Sequence, residues 1–256
     1  MLFAVVILYS NNKNLGDSIL TSASASLSNK KIGWGIKRTN DHNQPDLGSK
    51  NKELIDQNNG IAIGNAEKKY IYLTFDEGYE AGYTPKILDI LKENNVKAAF
   101  FITGYYANSS GDLVKRMIDE GHIVGNHTVN HYSMPDLNED KLKDEVMKLH
   151  AAVYEKFGYE MKYFRPPMGE YSARTLDETN KLGYITVMWS FAYADWDTNN
   201  QKGEDYAKKI ILDNLHNGEV MLLHAVSIDN ANILDSVIKE AKTQGYVFRS
   251  LNEFEK

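Results

Sequence analysis

From Tyr70 to the C-terminus, short runs rich in β-branched and aromatic residues alternate with longer segments of helical period, and this restricts the chain to few architectures. Strands are read at Tyr70–Phe75, Ala98–Ile102, Ile123–Gly125, Tyr163–Arg165, Ile185–Ser190, Val220–Leu223 and Val247–Arg249. Helices are read between them at Thr84–Asn94, Asp112–Glu120, Asp140–Phe157, Ser172–Leu182, Glu204–His216 and Asn230–Gln244. The period is clearest in the third, where Leu142, Val146, Leu149, Val153 and Phe157 line one face. Gly121, Gly158, Gly183, Gly218 and Gly245 each close a helical stretch, as left-handed C-caps do. Parallel strands need a crossover between them, and a helix after a strand supplies one. The expected fold class is therefore α/β, a closed but distorted (β/α) barrel of about seven parallel strands, with an open sheet as the other arrangement the pattern allows.

Ahead of Tyr70 the pattern changes. Residues 10–66 are rich in Asn, Ser, Gly, Lys and Asp, with sparse apolar positions. Leu2 to Tyr9 is an unbroken apolar run, of signal-sequence length and far short of the ~20 residues a membrane span needs. Ala23-Ser24-Ala25 has the small residues of a cleavage site, although no Lys or Arg precedes the apolar run. Export is the favoured reading; a buried strand or an arbitrary tail is the plainer one. The expected organisation is a signal or leader at 1–32, an irregular segment packed on the barrel at 33–67, and the main domain at 68–256.

Composition narrows the chemistry. The chain has no cysteine, so disulfides and thiolate metal sites are excluded, and any metal must sit on His and carboxylate. A net charge of −6 with no basic cluster argues against nucleic acid as a partner.

In a parallel β/α fold, chemistry belongs at the C-terminal ends of the strands. The first strand ends in Asp76 and Glu77, a costly adjacency unless charge or metal compensates it, though acidic residues before Gly also mark plain turns. The third is followed by His127 and His131, spaced to share a metal if they occupy one helical turn. Arg165 precedes two prolines and a Met168-Gly169 pair, a rigid turn suited to aim the guanidinium bidentately at a carboxylate. Asp195-Trp196 follows the fifth strand and His224 ends the sixth, an arrangement in which the Asp would keep the His protonated as a general acid. Each has a structural explanation when taken alone. Together they supply every part of a metal hydrolase, all at strand ends.

In this order, TFDEG at 74–78, HTVNH at 127–131, RPPMG at 165–169, AYADW at 192–196 and LLH at 222–224 resemble the motifs of the carbohydrate esterase family 4 polysaccharide deacetylases. Further segments, GWGIKR at 33–38, NNQKG at 199–203 and LLHAVSIDNA at 222–231, are similar to the spore-cortex subgroup that de-N-acetylates muramic acid on the way to the muramic δ-lactam. The resemblance implies a catalytic domain at 68–256 and a divalent metal, Zn²⁺ first with Co, Mn or Ni acceptable, held by His127 and His131 with Glu77 as third, directly or through water. It implies Asp76 as base, Arg165 as its holder, His224 as acid oriented by Asp195, and the Met168 N–H as an oxyanion donor. Trp196 and Leu222 would wall the acetyl pocket or simply pack there. It also implies a peptidoglycan substrate stripped of peptide by an amidase, a monomer, and a place on the exported, spore-cortex side of the membrane.

Two positions depart from the family pattern. Glu77 stands where the family carries Asp, and Ala192 where the fourth motif opens with Asp. Alternatives that stay open are a general N-acetylglucosamine, chitin or acetyl-xylan deacetylase, and a metal-free glycan-binding module. A phosphate-binding α/β enzyme is disfavoured, since no Gly-rich phosphate loop sits at a strand–helix junction.

Overall fold

The computed structural model describes residues 27–39 and 41–256, so the apolar run and the cleavage motif lie outside the described residues. The N-terminal half contains β1 (Ile32–Gly33), α1 (Ser49–Gln57), β2 (Tyr70–Glu77), α2 (Thr84–Glu93), β3 (Ala99–Ile102), α3 (Gly104–Ser109), α4 (Gly111–Asp119) and β4 (Ile123–Asn126). There follow α5 (Glu139–Phe157), β5 (Tyr163–Phe164), β6 (Glu170–Tyr171), α6 (Ala173–Lys181) and β7 (Ile185–Thr186). The chain ends with α7 (Glu204–Asp213), β8 (Glu219–His224), α8 (Ile228–Thr243) and β9 (Val247–Phe248). Among the described residues no helix is long and apolar enough to cross a membrane.

Seven strands form one curled sheet in the order β7-β5-β4-β3-β2-β8, with β9 also on β2, and every pairing is parallel. These are the seven strands read from the sequence. The expected strand Ile185–Ser190 shortens to Ile185–Thr186, because the chain beyond it changes partners. Val187 bridges Ile61 and Phe191 bridges Met221 on β8, so this segment crosses the open side of a half-barrel. A regular strand cannot serve both edges at once, and the irregular backbone is the result.

Pleat alternation decides what each residue of β2 faces. Leu73 and Phe75 join the cluster beneath the helices, with Leu88, Leu91, Val146 and Leu234. Tyr72 joins the opposite cluster with Phe101, Tyr163 and Val220. Burying each such side chain contributes about 1.5–3 kcal/mol of transfer free energy, which fixes the register of β2 firmly. Asp76 therefore shares the face of Tyr72 and Thr74, and Glu77 shares the face of Leu73 and Phe75.

The segment expected to be irregular at 33–67 holds helix α1, whose sparse apolar residues gave little period; Ile55 is its one fully buried side chain. β1 pairs antiparallel with β6, aligning Ile32 with Tyr171. Packing begins earlier than residue 33. The Ser28 carbonyl accepts the Arg174 N–H at 3.1 Å, and Asn29 Nδ2 donates to the Pro135 carbonyl at 2.9 Å.

Candidate active site

At the end of β2, Asp76 is 8% exposed and faces the cleft. Arg165, fully buried after β5, donates from Nη1 to Asp76 Oδ1 at 2.8 Å. The expected bidentate contact is not formed. Arg165 Nε instead donates to the Val187 carbonyl at 3.1 Å and Nη2 to Met188 at 3.4 Å, carbonyls that the crossing segment brings inward. The guanidinium also lies 4.2 Å over the Phe101 ring. Asp76 Oδ2 is thereby left to face His127 Nε2, 3.5 Å away. Burial would raise the Asp76 pKa, but the Arg165 charge, foremost among the opposing effects, prevails and holds it below its ordinary value of 3.8.

His127 and His131 come together as expected, with their Nε2 atoms 3.1 Å apart, but not on a helical turn. Thr128 and His131 take positive φ, 67° and 59°, and fold the loop back on itself. Glu145 braces it by accepting the Asn130 N–H at 2.7 Å and Asn130 Nδ2 at 2.6 Å. His127 Nδ1 lies 2.7 Å from the Arg165 carbonyl, so the proton sits on Nδ1 and the Nε2 lone pair faces His131. Burial lowers the pKa of both rings, that of His127 to about 4, and keeps them neutral. Two neutral imidazoles this close fit a shared metal, since tetrahedral ligands at 2.0–2.1 Å are separated by roughly 3.3 Å.

Glu77 does not join them. The pleat turns it to the helix side, where it is fully buried and neither carboxylate oxygen has a hydrogen-bond partner. Its charged neighbours are Glu80 and Asp76, and the Thr84 side chain lies beside it. Burial first, then those two charges, pushes its pKa well above 4.5. Among the described residues no three His, Cys, Asp or Glu side chains group to hold an ion. The pleat thus places Glu77 on the opposite face of β2 from the two imidazoles, against the expectation that it serves as third ligand directly or through water.

Across the cleft His224 ends β8, with Nδ1 2.8 Å from Asp195 Oδ1. Asp195 Oδ2 accepts the His224 N–H at 2.7 Å and Asn230 Nδ2 at 2.6 Å. Burial alone would lower the His224 pKa, but the Asp195 charge and hydrogen bond raise it above 6.5. Asn230, in turn bonded by the Tyr193 hydroxyl, was not foreseen as a site residue. Glu145 was also missed, although a Glu on the apolar face of α5 beside Leu142 and Val146 is a readable signal.

The cleft between these groups has a volume of about 530 Å³ and is lined by Asp76, His127, His131 and His224 together with Met168, Trp196 and Leu222. The RPPMG turn carries Met168 and Gly169 at φ 58° and 65°. Trp34 secures it: its N–H donates to the Gly169 carbonyl at 2.8 Å, and its Nε1 to the Trp189 carbonyl at 2.9 Å. Nine of the ten residues singled out from the sequence thus stand at or beside one cleft, and Glu77 is turned away from it.

Comparison with known proteins gives the family of the chain. The polysaccharide deacetylase family model matches residues 63–187. A Bacillus subtilis protein named peptidoglycan-N-acetylmuramic acid deacetylase is 46% identical over 89% of this chain and 88% of its own. A Bacillus cereus peptidoglycan-N-acetylglucosamine deacetylase is 36% identical over 73% of this chain and 69% of its own. The solved structure of Bacillus subtilis PdaA, described as a family 4 carbohydrate esterase, superposes with a TM-score of 0.87 at 44% identity, covering 89% of this chain and 98% of that one. The chain belongs to the polysaccharide deacetylases of carbohydrate esterase family 4.

Proposed function

We propose that this deacetylase removes the N-acetyl group of N-acetylmuramic acid in peptidoglycan. The observation that carries this reading is the extent of the likeness: 89% of the chain for the relative named for muramic acid, against 73% for the relative named for N-acetylglucosamine. We further propose that the freed amine closes to the muramic δ-lactam of spore cortex, that an amidase strips the peptide first, and that the protein acts as an exported monomer.

Deacetylases of this family are in general metal-dependent. In this chain His127 Nε2 and His131 Nε2 would hold the ion, and Zn²⁺ is the proposed species, with Co, Mn or Ni compatible with imidazole donors. When bound, it polarises the acetamide carbonyl and acidifies water. Asp76 Oδ2 accepts the proton of the attacking water, and Arg165 keeps the carboxylate ionised and aimed. The N–H of Met168, presented by the left-handed turn, donates to the developing oxyanion. His224, kept protonated by Asp195, delivers a proton to the leaving nitrogen, without which the amine is a poor leaving group. Trp196 and Leu222 wall the acetyl group.

Steady-state kcat/KM on peptide-stripped glycan, intact peptidoglycan and chitin oligomers tests the reading. Stripped glycan should be strongly preferred. Equal or better turnover of N-acetylglucosamine oligomers would overturn it.

A further inference from the structure

Two segments singled out in the sequence, NNQKG at 199–203 and VSIDN at 226–230, take no part in the chemistry above. In the structure both close on Asp195, the residue that orients His224.

Asn230 lies buried in the first turn of α8, where its N–H donates to the Ser227 side chain at 3.2 Å. Its Nδ2 donates to Asp195 Oδ2 at 2.6 Å, and its Oδ1 accepts the Tyr193 hydroxyl. Turned over, the amide would set its oxygen against the Asp195 carboxylate, with no proton between them. Asp195 Oδ1 is thereby left to His224 Nδ1, 2.8 Å away. Gln201 holds the backbone of the same residue. Its Nε2 donates to the Asp195 and Asp197 carbonyls at 2.9 Å each, and its Oε1 accepts the Ser227 hydroxyl at 2.6 Å. Asp229 Oδ2 ties the two segments together by accepting the Gly203 N–H at 2.8 Å.

We infer that Asn230, with Gln201 behind it, is a positioning residue of the general acid: it fixes the Asp195 carboxylate and so aims the His224 ring into the cleft. The inference rests on the role of His224 as acid proposed above. Without the Asn230 bond the carboxylate would be free to swing, and the imidazole it holds would swing with it. An acid works only within hydrogen-bond reach of the atom it protonates, and a misplacement of about 1 Å can cost about 10²-fold. Asn suits the position because one rigid group both donates to the carboxylate and accepts from the phenol.

The test is the ratio of kcat/KM on peptide-stripped glycan to kcat/KM on 4-nitrophenyl acetate, measured on folded, metal-loaded protein. The amide needs its leaving nitrogen protonated, whereas nitrophenolate leaves without a proton. His224→Gln is the reference and should lower the ratio by about 10²- to 10⁴-fold, the worth of a general acid. Asn230→Leu keeps roughly the shape but neither donates nor accepts, and should lower the ratio by about 10- to 100-fold. Gln201→Ala, at a half-buried position, should lower it by a smaller factor. A wild-type ratio in Asn230→Leu, or in Gln201→Ala should the first variant not fold, overturns the inference and leaves His224 as the acid. A wild-type ratio in His224→Gln overturns the acid assignment and the inference with it.

Discussion

Arg165 Nη1 donates to Asp76 Oδ1 at 2.8 Å, and that single bond, with the other N–H groups taken by backbone carbonyls, leaves Asp76 Oδ2 free toward His127. The base is thus oriented without being blocked. A two-pronged contact would hold the carboxylate more tightly and occupy the oxygen that must accept a proton.

Asp76→Asn keeps the shape but removes the base. Turnover should fall by about 10²- to 10⁴-fold, the usual worth of a general base, while bound metal is unchanged because neither imidazole is altered. The variant also leaves the fully buried Arg165 charge uncompensated, so its stability should drop by about 3 kcal/mol. Metal analysis and thermal unfolding read the two effects separately, and a variant retaining near wild-type turnover would remove Asp76 from the role of base.

The His224–Asp195 pair sets the alkaline side of the pH profile. His224 has a raised pKa, so it stays protonated through neutral pH and loses its proton as pH rises through the raised value. kcat should therefore decline on the basic side. Asp195→Asn takes away the charge that raises it, and the basic limb should move to lower pH by about 1–3 pH units. A limb that stays in place in that variant would show that another group limits the rate there.

Glu77 carries the opposite expectation from a ligand. Its pKa is raised, so folding opposes its ionisation, and the resulting destabilisation sets in as pH rises above 4.5 and grows toward the folded value. Glu77→Gln removes the ionisable group at nearly constant volume. Its thermal midpoint should equal or exceed that of wild type at pH 8, with metal content unchanged. Loss of metal in Glu77→Gln would return Glu77 to the ligand set.

What the sequence made legible follows from where single periods dominate. All seven strands of the main sheet were readable, because parallel strands buried on both faces appear as short apolar runs. Asp76, Arg165, His127, His131 and His224 were readable because they sit just past those runs. Glu77 was misplaced because the motif names a residue type, whereas the pleat parity set by Leu73 and Phe75 decides its face. The helical turn expected at 127–131 was wrong for a related reason: the positive φ of Thr128 and His131 depends on Glu145, many residues away on α5. Ile185–Ser190 was over-extended because no local signal marks a strand that changes partners between two sheet edges. Helix α1 and the clamping role of Trp34 were not read, since the polar N-terminal segment takes its order from what it packs against.

Trp34 gives the last prediction. The turn it holds is strained: Met168 has φ 58°, a left-handed conformation that costs a residue with a Cβ roughly 1–2 kcal/mol. Trp34 offsets this with the bond from its own N–H to the Gly169 carbonyl and with its indole bond to the Trp189 carbonyl, and the residue is 8% exposed. There is no slack at the contact, for a Cβ on Gly169 would lie 2.7 Å from Trp189 Cη2 and 3.2 Å from Trp34 Cβ. Trp34→Phe keeps the backbone bond and most of the packing, and should cost about 1 kcal/mol of stability for the lost indole bond. Trp34→Ala removes the packing as well, and should cost about 3–5 kcal/mol. If the clamp positions the Met168 N–H for the oxyanion, kcat should fall in the order wild type, Phe, Ala when scaled to folded protein, with KM and metal content nearly constant. A merely structural role would lower the amount of folded enzyme and leave the kcat of what remains unchanged, and that outcome would detach Trp34 from catalysis.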